Sequence, residues 1–157
     1  MSRVSQPWLT AVLWMGVIFL MSTDLGSSAH TSRIVEPLLR WLNPEISTGA
    51  MARVHFLVRK AGHLSEYAVL ALLLLRAVRS SLRLAPGDWS WRATGLALLL
   101  AAAYAATDEF HQSFVAARTA SAGDVLIDSL GALFALMLVF LFRKAGAATA
   151  ARPLTHS

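Results

Sequence analysis

The sequence predicts an all-α polytopic membrane protein, with four transmembrane helices in a compact bundle and an interfacial helix in the first loop. Three observations carry this. The 157 residues are 56% hydrophobic and 15% charged, whereas soluble domains carry roughly 25% charged residues. The mean hydropathy is +0.56. The apolar residues fall in blocks, and Arg residues flank those blocks. The length suits one small domain, read as residues 1–145 with a flexible tail at 146–157. No cysteine is present, which excludes disulfides and thiolate metal sites. The net charge of +5 raises nucleic acid as a partner. No basic stripe with interleaved aromatics supports that, so no nucleic acid is expected. Attraction to anionic lipid headgroups is the simpler account.

The first span is Pro7 to Met21. It is short against the roughly 20 residues that cross the hydrocarbon, and it extends back to Val4. A signal peptide is the rival reading, because Arg3 precedes an apolar run and Ser27-Ser28-Ala29 is a passable cleavage site. The first loop, Ser22 to Arg59, is longer than a simple connection. In it Ile34, Val35, Leu38, Leu39 and Leu42 recur at helical spacing, and Pro37 argues for a helix start or a break. That piece reads as an interfacial helix that either roofs a site or anchors peripherally.

The second span is Ala61 to Val78, with helix beginning near Ala50. The third runs from Ala93 to Thr107 as a bare apolar stretch and is carried to 110. Its small residues (Ala97, Ala101, Ala102, Ala103, Ala105, Ala106) permit close helix approach. The fourth is Val125 to Phe142. Trp8, Trp14, Trp89 and Trp91 fit interfacial anchors. The basic second loop and C-terminal tail favour both termini in the cytoplasm.

Parity then converges the unusual residues. The second span begins at Lys60, His63 and Glu66, the third ends at Asp108, Glu109 and Gln112, and the fourth begins at Asp124 and Asp128. In a four-span hairpin arrangement these places share one membrane face, together with the end of the first span at Ser22 and Asp24. The three segments 60–67, 108–112 and 118–128 alone hold five of the nine acids. An ionisable group within a bilayer costs a few kcal/mol or more unless paired or wetted, so it marks a candidate site.

Each group has a bland reading beside the functional one. Lys60, His63 and Glu66 form one stripe, His63 and Glu66 being about 60° apart on a helix. Snorkelling explains Lys60 and Arg59 but not the deeper Glu66. Asp108 and Gln112 share a face at i, i+4. Acids at a helix C-terminus oppose the helix dipole, so Asp108 and Glu109 need some other gain. Asp124 is three residues after Ser121, a capping-box spacing that alone explains it. Asp128, one turn deeper on the same face, is not a cap. Arg118 is either a surface charge or a fork for a phosphate or carboxylate.

These segments resemble the VanZ-like family of small bacterial membrane proteins. The resemblance rests on Lys60-x-x-His63-x-x-Glu66-Tyr67, on Asp108-Glu109-x-x-Gln112-x-Phe114, and on Arg118 followed by Asp124 and Leu130-Gly131. It covers roughly Trp8 to Phe142. The family usually carries Pro-Gly before the arginine, where this chain has Ala116-Ala117. The founding member is linked to low-level resistance to the glycopeptide teicoplanin. That link does not transfer to this chain on resemblance alone.

Two classes of function follow. One is an enzyme or binding site for a lipid-linked phosphate or cell-envelope precursor. Arg118 and Lys60 would hold the anion, His63 would be general acid or base, and Glu66 would orient it. Asp108, Glu109 and Asp128 are the metal candidates, for a divalent cation. The other is a non-enzymatic bundle that binds a glycopeptide, a lipid or a partner protein. Its polar groups would then form a buried network fixing helix register. A transporter or proton relay ranks last, because four spans are few unless the protein oligomerises. The shared face is testable in the cysteine-free background. Single substitutions His63→Cys, Glu109→Cys and Asp124→Cys are expected to be labelled from the same side of the membrane, and one site labelled from the other side would dissolve the pocket.

Overall fold

The computed structural model of the chain describes residues 4–23, 28–86, 88–115 and 120–150, excepting the side chains of 28–31, 34 and 147–150. Five helices and no strands are found among the described residues: α1 (Ser5–Met21), α2 (Ser28–Leu42), α3 (Thr48–Ser81), α4 (Trp91–Gln112) and α5 (Ala122–Ala150). Serine caps set two of the starts. The Ser47 hydroxyl accepts from the Ala50 N–H, and Ser90 accepts from Ala93, each at 3.2 Å. Each takes up one of the orphan donors of a first turn. α3 has 34 residues, so it is about 51 Å long against a hydrocarbon core of about 30 Å.

Cross-helix hydrogen bonds fix the helix directions. Trp8 Nε1 donates to Ser81 Oγ and Trp14 Nε1 to the Glu66 carbonyl, which makes α1 antiparallel to α3. The Tyr104 hydroxyl donates to the Met15 carbonyl and Gln112 Nε2 reaches Ser22 Oγ, which makes α4 parallel to α1. Arg59 and Lys60 meet Asp124 at one end, and Arg143 donates to the Pro86 and Asp88 carbonyls at the other. α5 therefore runs antiparallel to α4. The four long helices alternate up and down, α3 packs against each of the others, and α2 lies against α3.

The packing is inside-out by the standard of a soluble protein. Ala93, Ala97, Ala101 and Ala105 of α4 are fully buried, facing Tyr67, Leu70, Ala71 and Leu74 of α3 and Ala132 and Leu136 of α5. Meanwhile Leu9, Val12, Leu13, Leu20, Leu99, Phe134 and Leu141 are exposed. Soluble monomers rarely expose apolar surface so continuously, but lipid accepts it. Two segments, α3 and Ala122–Gly146 of α5, are long and apolar enough to cross a membrane, and α1 is a shorter apolar helix.

Two details differ from the sequence expectation. Pro37 neither starts nor breaks a helix, because α2 runs through it. Proline removes one N–H, the one that would reach the Arg33 carbonyl, and its ring is exposed, so the flanking backbone bonds keep the helix. Trp14 has an added role inside the bundle. It packs on the core and bonds Glu66 across to α3. Trp89, Trp91 and Trp8 do gather at the end away from Ser22, where Trp89 and Trp91 meet Phe140 with ring centroids 5.2 and 5.0 Å away.

The tightest approach is between α3 and α5. A Cβ on Gly131 would lie 2.4 Å from the Leu64 carbonyl oxygen. That neighbour is helix backbone and cannot rotate away. Gly131→Ala is expected to lower the thermal midpoint in detergent, by the roughly 1–3 kcal/mol of an overpacked core. Gly95→Ala, where nothing lies within 4 Å, is the control and is expected to be neutral or slightly stabilising.

Candidate functional site

The polar residues collect at the end of the bundle where α1 and α4 finish and α5 begins. α3 crosses this end with its 59–67 segment. Successive turns of one face carry Lys60, His63 and Tyr67, and His63 and Tyr67 are buried. His63 Nδ1 lies 3.3 Å from Asp128 Oδ1, an ion-pair distance without hydrogen-bond alignment. The acid against His63 is therefore Asp128 of α5. Glu66, expected to orient the imidazole, contributes its backbone carbonyl to Trp14. Helical spacing on α3 puts Glu66 near His63 in angle, but only packing of α5 brings the distant aspartate into contact.

α4 supplies the second wall. Its alanine stripe at 93, 97, 101 and 105 continues at the same spacing into Glu109, with Asp108 and Gln112 beside it, and all three are buried. The site thus occupies the face that elsewhere allows close packing. Gln112 Nε2 donates to Asp108 Oδ2 at 3.0 Å and approaches Ser22 Oγ at 3.4 Å. His111 turns away and stacks on Phe19 at 4.5 Å.

The start of α5 is capped across helices. Ser121 Oγ accepts the Gly123 N–H at 3.1 Å. In a capping box the acid three residues on would take the Ser121 N–H. Here Glu109 Oε2 takes it, at 2.8 Å, and the Asp124 carboxylate is spent elsewhere. One of its oxygens accepts from Arg59 Nη2 at 2.9 Å and the other from Lys60 Nζ. The capping explanation for Asp124 is thereby replaced by a double ion pair. Arg59 belongs to the site although its sequence position reads as ordinary snorkelling. Its one signal was adjacency to Lys60.

Several buried acceptors have no hydrogen-bond partner: Asp108 Oδ1, Glu109 Oε1, Gln112 Oε1 and both oxygens of Asp128. The Tyr67 hydroxyl lies close to Asp108. An unmade hydrogen bond on a buried polar group costs on the order of 1–3 kcal/mol, so this end carries a large unsettled demand for donors or a cation. Asp108, Glu109 and Asp128 were the sequence candidates for a metal. The structure instead groups His63, Glu109 and Asp128, whose ligand atoms all lie within 4.8 Å of one another. Asp108 is tied to Gln112. Arg118 and Asp24 lie outside the described residues. Of the remaining candidates, Lys60, His63, Asp108, Glu109, Gln112, Asp124 and Asp128 are brought to one end, and Glu66 sits on the same stretch of α3.

The ion pairs are unequal. Asp124 has 3% of its side chain exposed, against 30% for Arg59 and 17% for Lys60. Asp124→Asn leaves two cations without their acid and is expected to destabilise on the order of 3 kcal/mol. Arg59→Gln or Lys60→Gln leaves Asp124 one partner and is expected to cost about 1 kcal/mol or less. Thermal or denaturant unfolding in detergent checks the order, and equal effects would contradict it.

A comparison with known proteins fits this arrangement. The VanZ/LLP1 family model matches residues 7–143. No curated protein and no solved structure matches the chain. The match takes in α3 and α4 whole, most of α1 and α5, and every described site residue, and the chain belongs to the VanZ/LLP1 family.

Proposed function

We propose that this chain is a four-span protein of the bacterial cytoplasmic membrane, with both termini inside. Its polar end then faces the extracytoplasmic side and binds the phosphate of a lipid-linked cell-envelope precursor. The observation that carries this is the pair Arg59 and Lys60 on Asp124, set at the rim of a buried polar cluster from three helices. The two cations are the more exposed members, so they meet an arriving anion first. A phosphate offers the bidentate acceptor that guanidinium prefers and can exchange with the Asp124 carboxylate. Arg118 is a further cation for the same headgroup.

The group suited to turnover at this site is His63. Its imidazole is held by Asp128 and lies one helical turn from Lys60 on the same face of α3. A histidine oriented by a carboxylate is a competent general acid or base. The alternative, a buried network that only fixes helix register or binds a partner protein, is less well supported. Such a network satisfies its own members, whereas Gln112 Oε1 and the Asp128 oxygens, one of them ion-paired with His63, lack hydrogen bonds. Nothing in the site is particular to a glycopeptide, so teicoplanin resistance is not carried to this chain.

The test is a binding titration of the full chain in detergent, with short-chain phosphatidic acid against phosphatidylcholine of the same tails. Preference for the phosphomonoester is expected. Lys60→Gln should weaken it about tenfold, equivalent to roughly 1.4 kcal/mol. Equal binding of both lipids would overturn the phosphate reading.

A further inference from the structure

We propose that His63, Glu109 and Asp128 hold one divalent transition cation, with α3, α4 and α5 each giving one ligand. The candidate ligand atoms lie within 4.8 Å of one another, and all three residues are buried. Glu109 divides its carboxylate. Oε2 takes the Ser121 N–H, while Oε1 is buried without a partner. Asp128 keeps both oxygens without a hydrogen bond, and His63 Nδ1 meets Asp128 out of alignment. A cation between these atoms would satisfy all of them at once. The independent sign is Gln112. It is fully buried and its amide nitrogen is used on Asp108, yet its Oε1 has no donor. A metal-bound water would supply such a donor.

Charge leads to the same place. Among the described residues three buried carboxylates (Asp108, Glu109, Asp128) share this end with the buried imidazole of His63, while Arg59 and Lys60 are engaged by Asp124. Burying unpaired carboxylates is costly, and a divalent ion offsets it directly. The donor set is one imidazole nitrogen with two carboxylates. Imidazole suits zinc and the later transition ions, carboxylate suits manganese and the hard ions, and the mixture favours Mn2+ or Zn2+ over Ca2+. Three protein ligands leave an open position, as in catalytic rather than structural sites. Asp108 acts from outside as an orienting residue, through Gln112. The cation's role toward a phosphate rests on the proposed function above; its binding does not.

The experiment uses the full chain in detergent, stripped with EDTA and without added lipid. Mn2+ is titrated by electron paramagnetic resonance, with Zn2+ and Ca2+ as competitors. About one tight Mn2+ per chain is expected, displaced by Zn2+ and poorly by Ca2+. Asp128→Asn and Glu109→Gln should weaken binding by more than about 100-fold, and Asp108→Asn by about tenfold, the range of an outer-shell partner. The wild-type titration needs no variant to fold. If wild type binds no Mn2+ or Zn2+, or Ca2+ competes as well as Zn2+, the cation site is overturned. If Asp108→Asn abolishes binding as fully as Asp128→Asn, the assigned ligand set is overturned. Metal binding without any preference for phosphatidic acid would sink the phosphate reading and leave the cation standing. The reverse would sink the cation alone.

Discussion

The seam between α3 and α5 governs the rest of the molecule. At Gly131 the α5 backbone comes so near the Leu64 carbonyl that no side chain fits between them. One turn along the seam, that closeness sets Asp128 against His63, and one turn further it sets Asp124 against Arg59 and Lys60. A wider spacing would let both aspartates reach water. With the spacing fixed, the acids are buried and must find partners across the seam. α4 enters by the same logic, since an unbroken run of buried alanines lets it approach both helices and delivers Glu109 and Gln112 to the same end.

Much of this was readable from residues alone. The stripe of Lys60, His63 and Glu66 follows from helical spacing, and alternation of spans places the three acid-bearing segments together. The structure gathers those segments at one end of the helices and adds the partners. Which acid meets His63 depends on how α5 is rotated against α3, and no local pattern encodes that rotation. Asp124 was misleading because a cap and an ion-pair acid look the same at the start of a helix. Arg59 was overlooked because a cation beside a membrane face usually needs no partner. Pro37 misled for a different reason, since an exposed helix tolerates the loss of one backbone bond.

The division between outside and inside also has a physical source. Leucines and phenylalanines cover much of the exterior, while alanines, larger residues such as Tyr67, Leu70 and Leu136, and the polar cluster fill the seams. In lipid, apolar side chains gain nothing by leaving the surface. Close backbone packing and interhelical hydrogen bonds hold such helices together instead. The bonds from Trp14 to Glu66 and from Tyr104 to Met15 are of that kind. Family membership and two span-length helices agree with this placement.

Glu109 ends one helix and starts the next. Its Oε2 fixes the first peptide group ahead of α5, while its Oε1 is buried without a hydrogen bond and the carboxylate lies beside His63 and Asp128. A single rigid carboxylate therefore joins the last hairpin's register to whatever sits between those side chains. Pulling on one oxygen reorients the other, because both are bonded to the same carbon. A group that holds Oε1 should therefore steady the start of α5, and loosening the Ser121 peptide should loosen the carboxylate beside His63 and Asp128.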